Sequence, residues 1–455
     1  MMLYDLIILG GGPAGYLAAE RAGHAGMKVA VAEERSLGGV CLNEGCIPTK
    51  TLLYSAKLYD GVRLGEKYGV RAEGLTIDHT AVVRRKNKVV KLLTAGVKSQ
   101  LKAAQADVYA GRARIEEKNS DGFLVSVGEE KLTGKRLLIA TGSSAAIVPI
   151  PGVKEGLESG FVLTNREILD LQSPPERLCV IGGGVIGLEL AGYFSSIGSQ
   201  VRVVEMLDHI AGETDPELAQ LLQAELVKKG VRFELSARVC AVGEGKVTIE
   251  KEGEQSDLVC DKVLLSVGRR PNTADIGLEA LGVELEGRAV KTDERMRTNV
   301  PGVWAAGDVN GRVMLAHTAY REAEVAVNDM LGQEDAMSYD AIPSVIYTNP
   351  ELSSVGLTEQ EAKKRGKEVR VVKLPMNYAG RYRAENEDGR GVMKLITDPS
   401  GRVLGGQLLA NYSSEFIVAL ASYIELQLTV NQIKKIIFPH PTVSEIIREA
   451  VFQCE

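Results

Sequence analysis

A short apolar run near the start of the chain is followed at once by glycines. Residues 6–9, Leu-Ile-Ile-Leu, have the continuous apolar character of a buried strand. The segment 10–15, Gly-Gly-Gly-Pro-Ala-Gly, leads into an alanine-rich stretch that predicts a helix. Residues 29–32 are again apolar and end at Glu33. This order predicts a βαβ unit with the G-x-G-x-x-G spacing of a dinucleotide-binding turn, whose glycines are Gly10, Gly12 and Gly15.

The same pattern returns in the middle of the chain. Residues 178–181 are apolar, residues 182–187 read Gly-Gly-Gly-Val-Ile-Gly, and the apolar run 201–204 ends at Glu205. In both copies the acid follows the last glycine by 18 residues, close to the spacing of an acid that accepts a ribose hydroxyl. One glycine-rich turn is a weak signal. Two copies with matched acids predict two dinucleotide sites, the second with Gly182, Gly184 and Gly187.

The last quarter of the chain has a different pattern. Strand-like runs at 369–374, 391–397 and 403–409 alternate with helical stretches, and no nucleotide fingerprint occurs there. Thr358 and Glu361 have the spacing of a capping box, with Gly366 as the stop of that helix. We expect this region to serve in packing, subunit contact and supply of a catalytic group.

Composition narrows the class of protein. Of 455 residues, 45% are hydrophobic and 25% are charged, which predicts a packed globular chain. The net charge of -6 argues against a nucleic-acid-binding face. Neither the N-terminus nor the uncharged run 137–153 has the pattern of a leader or a membrane span, so we expect a soluble cytoplasmic protein without membrane contact. The 49 glycines indicate close backbone approaches, and six cysteines suit a reducing compartment.

Two cysteines, Cys41 and Cys46, lie five residues apart soon after the first βαβ unit. Two buried thiols or half of a metal site are alternatives, although no second Cys/His cluster accompanies them and no metal is expected. In an ideal helix such residues have Cα atoms about 8.7 Å apart, whereas a disulfide needs about 4.4–6.8 Å. A disulfide here therefore requires a broken helix, which Asn43 and Gly45 would permit.

The segment 38–50, GGVCLNEGCIPTK, resembles the redox-active signature of the pyridine nucleotide–disulfide oxidoreductases of the glutathione reductase type. Further motifs follow in the family's order at 140–142, 268–272, 306–308 and 440–445. Within the family, the motifs are most similar to those of members that oxidise the dihydrolipoyl group. The resemblance implies an α/β fold with two Rossmann-like dinucleotide-binding domains and an α+β C-terminal dimerisation domain. The implied domains are 1–145 (FAD, first part), 146–270 (NAD), 271–337 (FAD or central, second part) and 338–455 (interface).

The resemblance also implies roles for single residues. Glu33 would bind the adenosine ribose of FAD, Asp308 the ribityl chain, and Lys50, paired with Glu189, would lie near the flavin. Cys46 would face the flavin and Cys41 the substrate. His440 would act as the base from the partner subunit of a homodimer, oriented by Glu445. Further FAD contacts would come from Ala113, Thr141, Gly142, Ser143, Met314, Leu315, Ala316 and His317; further NAD contacts from Glu189, Val239 and Gly268.

The predicted reaction is oxidation of a protein-bound dihydrolipoyl group with reduction of NAD⁺, the lipoyl carrier being a separate protein. Glu205 would repel a 2′-phosphate, and residues 206–208 supply no arginine, so NAD(H) is expected over NADP(H).

Phe438 and Pro439 replace the His-Ala of many relatives, which could change the polar lining near His440. A reductase of glutathione-like, coenzyme A or mercuric substrates and a non-enzymatic redox sensor are the alternatives.

Several residues have competing interpretations. Thr442 and Glu445 also have capping-box spacing, and Glu445 could both cap a helix and orient His440. His24, His79 and His209 are expected at the surface. Cys179, Cys240 and Cys260 are expected to be core thiols. A single cysteine near the C-terminus, Cys454, is expected to be incidental.

Overall fold

The computed structural model describes residues 3–454 and separates them into two compact units. The first unit contains residues 3–51, 80–146 and 268–338. The second contains residues 52–79, 147–267 and 339–454. The domain boundaries predicted from the sequence stay predictions.

The strands of the described residues are numbered in chain order: β1 (Leu3–Tyr4), β2 (Leu6–Leu9), β3 (Val29–Glu33), β4 (Asp107–Ala110), β5 (Ala113–Asn119), β6 (Gly122–Val127), β7 (Glu130–Gly134), β8 (Leu137–Ile139), β9 (Ser143–Ala145), β10 (Val162–Leu163), β11 (Arg177–Ile181), β12 (Gln200–Val204), β13 (Arg232–Glu234), β14 (Ala237–Gly243), β15 (Lys246–Lys251), β16 (Glu254–Val259), β17 (Lys262–Leu265), β18 (Arg269–Pro271), β19 (Leu285–Glu286), β20 (Ala289–Val290), β21 (Val303–Ala305), β22 (Ser344–Ile346), β23 (Glu351–Gly356), β24 (Arg370–Pro375), β25 (Val392–Thr397) and β26 (Val403–Ala410).

The α-helices are α1 (Pro13–His24), α2 (Gly39–Glu44), α3 (Cys46–Arg63), α4 (His79–Ala103), α5 (Val153–Ser159), α6 (Val185–Ser196), α7 (Pro216–Lys228), α8 (Ala316–Met330), α9 (Glu359–Lys364), α10 (Gly380–Glu385), α11 (Ser413–Glu425), α12 (Val430–Ile433) and α13 (Glu445–Phe452). Short 3-10 helices occupy Gly65–Tyr68, Glu167–Asp170, Leu278–Ala280, Asp308–Asn310 and Met376–Tyr378.

The first unit is built on a five-stranded parallel sheet in the order β21-β8-β2-β3-β4. A second sheet, β1-β7-β6-β5, shares a hydrophobic core with it that includes Ile7, Ile115 and Phe123. Strand β2 is buried along its whole length, as its unbroken apolar run predicts. The short ladder β18-β9 joins the segment around Arg269 to Ser143. The motifs 10–15, 140–142 and 306–308 follow the carboxyl ends of β2, β8 and β21, so all three lie at one edge of the parallel sheet.

The second unit contains another five-stranded parallel sheet, in the order β10-β17-β11-β12-β13. A three-stranded antiparallel sheet, β14-β15-β16, packs on it through a core that includes Val247 and Val263. The C-terminal region forms a five-stranded antiparallel sheet in the order β22-β23-β26-β25-β24. Helices α11 and α13 cover this sheet with residues such as Leu420 and Ile447. Its last three strands match the predicted ones to within about one residue at each end.

The predicted capping box is confirmed: the Thr358 hydroxyl accepts from the Glu361 N–H, and the Glu361 carboxylate accepts from the Thr358 N–H. Gly366, with φ at +63°, follows the end of this helix. A buried ion pair connects two parts of the second unit. Lys394 Nζ, on β25, lies 2.9 Å from each carboxylate oxygen of Asp215, the N-cap of α7.

Among the described residues, no helix is both long enough and apolar enough to span a membrane. The same part of the chain has no group of three or more His, Cys, Asp or Glu side chains placed to hold a metal ion.

Candidate active site

The first glycine-rich turn is a tight backbone cradle between β2 and α1. A Cβ atom at Gly10, where φ is +109°, would lie 2.2 Å from the Ala140 carbonyl oxygen. A Cβ at Gly15 would lie 1.8 Å from the Gly10 carbonyl oxygen. Gly12 is the N-cap of α1 and provides no side-chain cap, so the first N–H groups of this helix remain available to an anion. The turn has the shape that a bound pyrophosphate requires.

Glu33, at the end of β3, holds this turn in place. Its Oε2 accepts from the Gly11 N–H at 2.7 Å, and its Oε1 accepts from the Arg35 and Ser36 N–H groups at 2.8 and 3.1 Å. A carboxylate has about four acceptor positions, so capacity remains for a ribose hydroxyl. The acid therefore both shapes the turn and stands where a ribose is expected.

The second glycine-rich turn repeats this arrangement in the other unit. A Cβ at Gly182, where φ is +105°, would lie 2.4 Å from the Ser266 carbonyl oxygen, and one at Gly187 would lie 2.2 Å from that of Gly182. Glu205 Oε2 accepts from the Gly183 N–H at 2.7 Å. Gly184 is the uncapped N-cap of α6. Both units thus contain the same strand, turn, helix and acid in the same geometry.

The redox motif lies directly on the first turn. The Gly38 N–H donates to the Gly11 carbonyl at 2.8 Å. Helix α2, which contains Cys41, ends at Gly45, where φ is -144° and ψ is -106°, and α3 begins at Cys46. The interruption that a bond between these sulfurs requires is therefore present. Asn43 holds the end of the motif by donating to the Leu37 and Gly39 carbonyls at 3.1 and 2.9 Å.

The two cysteines are thiols that interact with each other. A hydrogen bond to Cys46 and burial raise the pKa of the Cys41 thiol, and the positive charge of Lys50 opposes this rise. A disulfide bond between Cys41 and Cys46 stays a prediction.

Three polar residues form a chain near the thiols in the first unit. Arg269 Nε donates to the Ser143 hydroxyl at 2.7 Å, and this hydroxyl donates to Asp308 Oδ2 at 2.5 Å. Burial lowers the pKa of Arg269, while the charges of Asp308, Glu44 and Cys46 oppose that effect. Arg269 belongs to the predicted motif 268–272, but no role was expected for its side chain.

The motifs 140–142 and 268–272 also bind each other directly. The Thr141 hydroxyl donates to the Asn272 carbonyl at 2.7 Å, and Asn272 Nδ2 donates to the Thr141 carbonyl at 2.9 Å. Glu322, a fully buried residue of α8, accepts from the Gly307 N–H at 2.6 Å and fixes the turn before Asp308. The role of Glu322 was not predicted from the sequence, because nothing in the local pattern distinguishes this residue from a surface acid of a helix.

The other predicted flavin residues lie in the first unit. Ala113 is buried at the start of β5, and Gly142 has φ at +68°. Helix α8 begins at Ala316, with Leu315 as its N-cap and Met314 and His317 on either side of this start.

Two buried polar atoms beside these residues, the Thr318 hydroxyl and Asn310 Nδ2, have no hydrogen-bond partner among residues 3–454. Together with the backbone cradle, these atoms fit a bound group with many acceptors, such as FAD.

In the second unit, His440 and Glu445 form the expected pair. His440 Nδ1 lies 2.7 Å from Glu445 Oε1, and the histidine side chain is 77% exposed. Glu445 Oε2 accepts from the Thr442 N–H at 2.8 Å. Although burial acts in the opposite direction, these two hydrogen bonds lower the pKa of Glu445.

A complete capping box does not form there. Ser444 is the N-cap of α13, and the Thr442 hydroxyl donates to the Pro439 carbonyl at 2.9 Å. Glu445 therefore both positions the histidine and holds one backbone N–H of the preceding turn.

The remaining NAD residues have their own positions. Glu189, buried in α6, accepts from the Tyr347 N–H at 3.0 Å. Val239 lies on β14 at an irregularity of the strand register. Gly268 belongs to the first unit and has φ at +108°. The pairing of Glu189 with Lys50 stays a prediction.

Two expectations from the sequence are wrong. His79 is buried because it is the first residue of α4 and packs against the rings of Tyr193 and Phe194. Its Nδ1 lies 2.8 Å from the Tyr193 hydroxyl, and its Nε2 lies 2.9 Å from the Leu171 carbonyl. Cys240 is only partly buried, since its strand, β14, is an edge strand of its sheet. Cys179, Cys260 and Cys454 are buried.

Comparison with known proteins identifies the family. Residues 4–323 match the family described as pyridine nucleotide-disulphide oxidoreductase, and residues 342–451 match its dimerisation domain. Dihydrolipoyl dehydrogenase from Mycoplasma pneumoniae is 38% identical over 98% of this chain and 98% of that protein. The Bacillus subtilis protein of the same name is 39% identical over 98% and 95%.

Among solved structures, the HOCl-induced flavoprotein disulfide reductase RclA from Escherichia coli superposes with a TM-score of 0.87 at 30% identity. The alignment covers 99% of this chain and 100% of RclA, and a Cu(II) complex of RclA has also been solved.

These findings confirm the fold class, the resemblance and the cofactor types predicted from the sequence. The match to the dimerisation domain supports the predicted homodimer. The chain belongs to the pyridine nucleotide-disulphide oxidoreductase family and is an FAD- and NAD(H)-dependent disulfide oxidoreductase of that family.

Proposed function

We propose that this enzyme oxidises a protein-bound dihydrolipoyl group and reduces NAD⁺, as the names of its curated relatives suggest. The observation that carries the proposal is the Cys41–Cys46 pair, divided between two helices at Gly45 and placed on the first dinucleotide turn. A dithiol on a flavin-binding turn suits two-electron exchange with a second dithiol. The first unit would bind FAD, residues 146–270 would bind NAD(H), and residues 338–455 would form the subunit interface.

The thiol exchange assigns a different task to each cysteine. A lipoyl thiolate attacks the Cys41 sulfur of a Cys41–Cys46 disulfide, and the electron pair of the broken bond leaves on Cys46. The second lipoyl thiol then loses its proton, attacks the mixed disulfide and releases Cys41 as a thiolate. The lipoyl group ends as a disulfide and the cysteine pair as a dithiol, so electrons balance.

His440 would accept the proton from the lipoyl thiol. Its Nδ1 is held by Glu445 at 2.7 Å, which leaves Nε2 as the atom that exchanges a proton. The high exposure of the histidine within one chain suits a residue that completes the site of a second subunit. We therefore propose that His440 serves the thiols of the partner subunit in a homodimer.

The nucleotide turns would hold the two cofactors. Glu33 and the cradle Gly10–Gly15 would bind the FAD adenosine and pyrophosphate, and Asp308, positioned by Ser143 and Arg269, would bind its ribityl chain. When bound, FAD supplies the two-electron chemistry between the thiols and NAD⁺. Glu205 would accept from the ribose of NAD(H). The lipoyl carrier would be a separate protein, and a reducing compartment such as the cytoplasm suits a bond that is made and broken in each turnover.

The test is a steady-state assay of the purified dimer with dihydrolipoamide and NAD⁺. NADH formation that disappears in Cys41→Ser, while Cys240→Ser remains active, is the expected result. In separate arms with NADH, glutathione disulfide, coenzyme A disulfide and Cu(II) are offered as alternative oxidants beside lipoamide. Faster turnover with one of these than with the lipoyl compound would overturn the proposed substrate, and no NADH consumption with any substrate would leave a non-enzymatic redox sensor.

A further inference from the structure

Two tyrosines of the first unit form a pair that the proposed mechanism does not use. Tyr16 lies on α1, one turn after Gly12, and Tyr320 lies on the second turn of α8. Their hydroxyl oxygens are 2.5 Å apart, and their ring centroids are 6.0 Å apart at an interplanar angle of 60°. Tyr16 is 9% exposed and Tyr320 is half-buried. The pair is therefore partly shielded from water.

This pair lies beside the redox thiols. A Cβ at Gly39, in the first turn of α2, would lie 2.7 Å from the Gly12 Cα and 3.5 Å from Pro13 Cδ. The start of the helix that contains Cys41 thus packs on the start of the helix that contains Tyr16. Besides burial and the bond to Tyr320, the negative charge of Cys41 and Cys46 in their thiolate forms raises the pKa of Tyr16. Burial raises the pKa of Tyr320 as well; the bond from Tyr16 opposes this rise, and the charges of Cys41 and Cys46 add to it.

The pair has one O–H group more than the hydrogen bond between its two oxygens uses. Two phenols have two O–H groups, and only one of them can lie between the two oxygens. Within residues 3–454, neither the Tyr16 hydroxyl nor the Tyr320 hydroxyl has another hydrogen-bond partner. Because both phenols remain protonated at neutral pH, the second O–H is a donor without a protein acceptor. A partly shielded donor without a protein acceptor is available to an acceptor that forms during function.

We propose that the Tyr16–Tyr320 pair is an anion-stabilising site for the Cys41 thiolate, toward which its second O–H donates. The inference rests on the proposed function, in which Cys41 is released as a thiolate in each exchange. The proton stays on the phenol, so the pair stabilises the anion without being consumed. It acts from the same subunit as the thiols, whereas the proposed base comes from the partner. Other groups that act on Cys41 are Cys46, Lys50 and Asp308.

The test measures the pH dependence of Cys41 alkylation in the reduced holoenzyme. The enzyme is reduced with a small dithiol, freed of reagent under anaerobic conditions and treated with iodoacetamide over a range of pH. Mass spectrometry then identifies the label on Cys41. In Tyr16→Phe/Tyr320→Phe, which keeps both rings, we expect the midpoint of the profile to rise by about one pH unit, the tenfold effect of a lost hydrogen bond to an anion. Each single variant shows which hydroxyl faces the sulfur.

A second phenol pair of the same unit provides the matched control. The Tyr4 and Tyr109 hydroxyls are 2.7 Å apart, with ring centroids at 6.3 Å. Tyr109→Phe therefore removes a comparable hydrogen bond, and we expect it to leave the Cys41 profile unchanged.

A profile of the double variant that coincides with the wild type would overturn the proposal. If the double variant does not retain FAD, the single variants decide, because at least one of them must raise the midpoint. The assay contains no lipoyl compound, so failure to oxidise dihydrolipoamide would reject the proposed function without changing this result.

Discussion

The carboxylate of Glu205 accepts a hydrogen bond from the Gly183 N–H at 2.7 Å, and the carboxylate of Glu33 accepts one from the Gly11 N–H at the same distance. In both pairs the two residues are 22 positions apart in the chain. Each acid thus shapes its turn, and we propose that each also accepts from the ribose of the nucleotide bound there. The charge of this acid and its role as an acceptor can therefore be separated by mutation.

Glu205→Gln keeps an acceptor oxygen for the Gly183 N–H but removes the negative charge. We expect kcat/KM for NADPH to rise about tenfold relative to that for NADH, because the repulsion of the 2′-phosphate is lost. Steady-state kinetics with both nucleotides check this. Glu33→Gln makes the same change on the FAD turn and should weaken FAD retention without changing the nucleotide preference. A wild-type enzyme that prefers NADPH would contradict the assignment of Glu205.

Cys41→Ser and Cys46→Ser should each abolish lipoamide turnover while FAD stays bound, since a disulfide needs both sulfurs and the nucleotide turn needs neither. Activity and the flavin absorbance of the purified variants are the measurements. Cys240→Ser, which changes a partly buried cysteine on the edge strand β14, is the matched control and should remain active. Retained turnover in either of the first two variants would reject the disulfide mechanism.

His440→Ala should lower turnover by about 10²–10⁴, the usual range for a general acid or base. Glu445→Ala should reduce turnover less, since it leaves the imidazole in place but unpositioned. Glu449→Ala, which removes a partly exposed partner of Arg448 on the same helix, is the control. An unchanged rate in His440→Ala would exclude this residue as the base.

The Glu445 pair also predicts a pH dependence. Hydrogen bonds from Thr442 and His440 hold the pKa of Glu445 below its usual value despite burial. The stability that the ionised carboxylate contributes is therefore complete above the usual glutamate range and is lost as pH falls through the lowered folded-state pKa. Thermal unfolding of wild type and Glu445→Gln over acidic pH should show curves that converge as pH falls; a constant separation would contradict this linkage.

Lys394→Ala should lower the free energy of unfolding by about 3–5 kcal/mol, because it leaves the carboxylate of Asp215 buried without its partner. Lys363→Ala removes an exposed ion pair with Glu359 and should cost less than about 1 kcal/mol. Denaturant unfolding of both variants gives the comparison. Equal losses would show that the Lys394 pair does not stabilise the second unit.

Local sequence patterns determined both nucleotide turns, the capping box of α9 and the interruption between Cys41 and Cys46. Each of these depends on residues near one another in the chain: glycines where a Cβ would clash, a threonine three residues before a glutamate, and a poor helix former between two cysteines. The distance from turn to acid is set by the length of one helix and one strand, so spacing alone could predict it. These features were accessible without any knowledge of packing.

Tertiary structure alone decided which side chains those elements bring together. The contacts His79–Tyr193 and Lys394–Asp215 join residues far apart in the chain. The partial exposure of Cys240 follows from the edge position of its strand. The Tyr16 and Tyr320 hydroxyls meet across 304 positions. Such contacts depend on which faces of the helices pack together and on which strand lies at the edge of a sheet. The local periodicity of the sequence does not determine either. The sequence by itself determined the two glycine-rich turns and the pair of cysteines. The packing of the chain decided which side chains surround them.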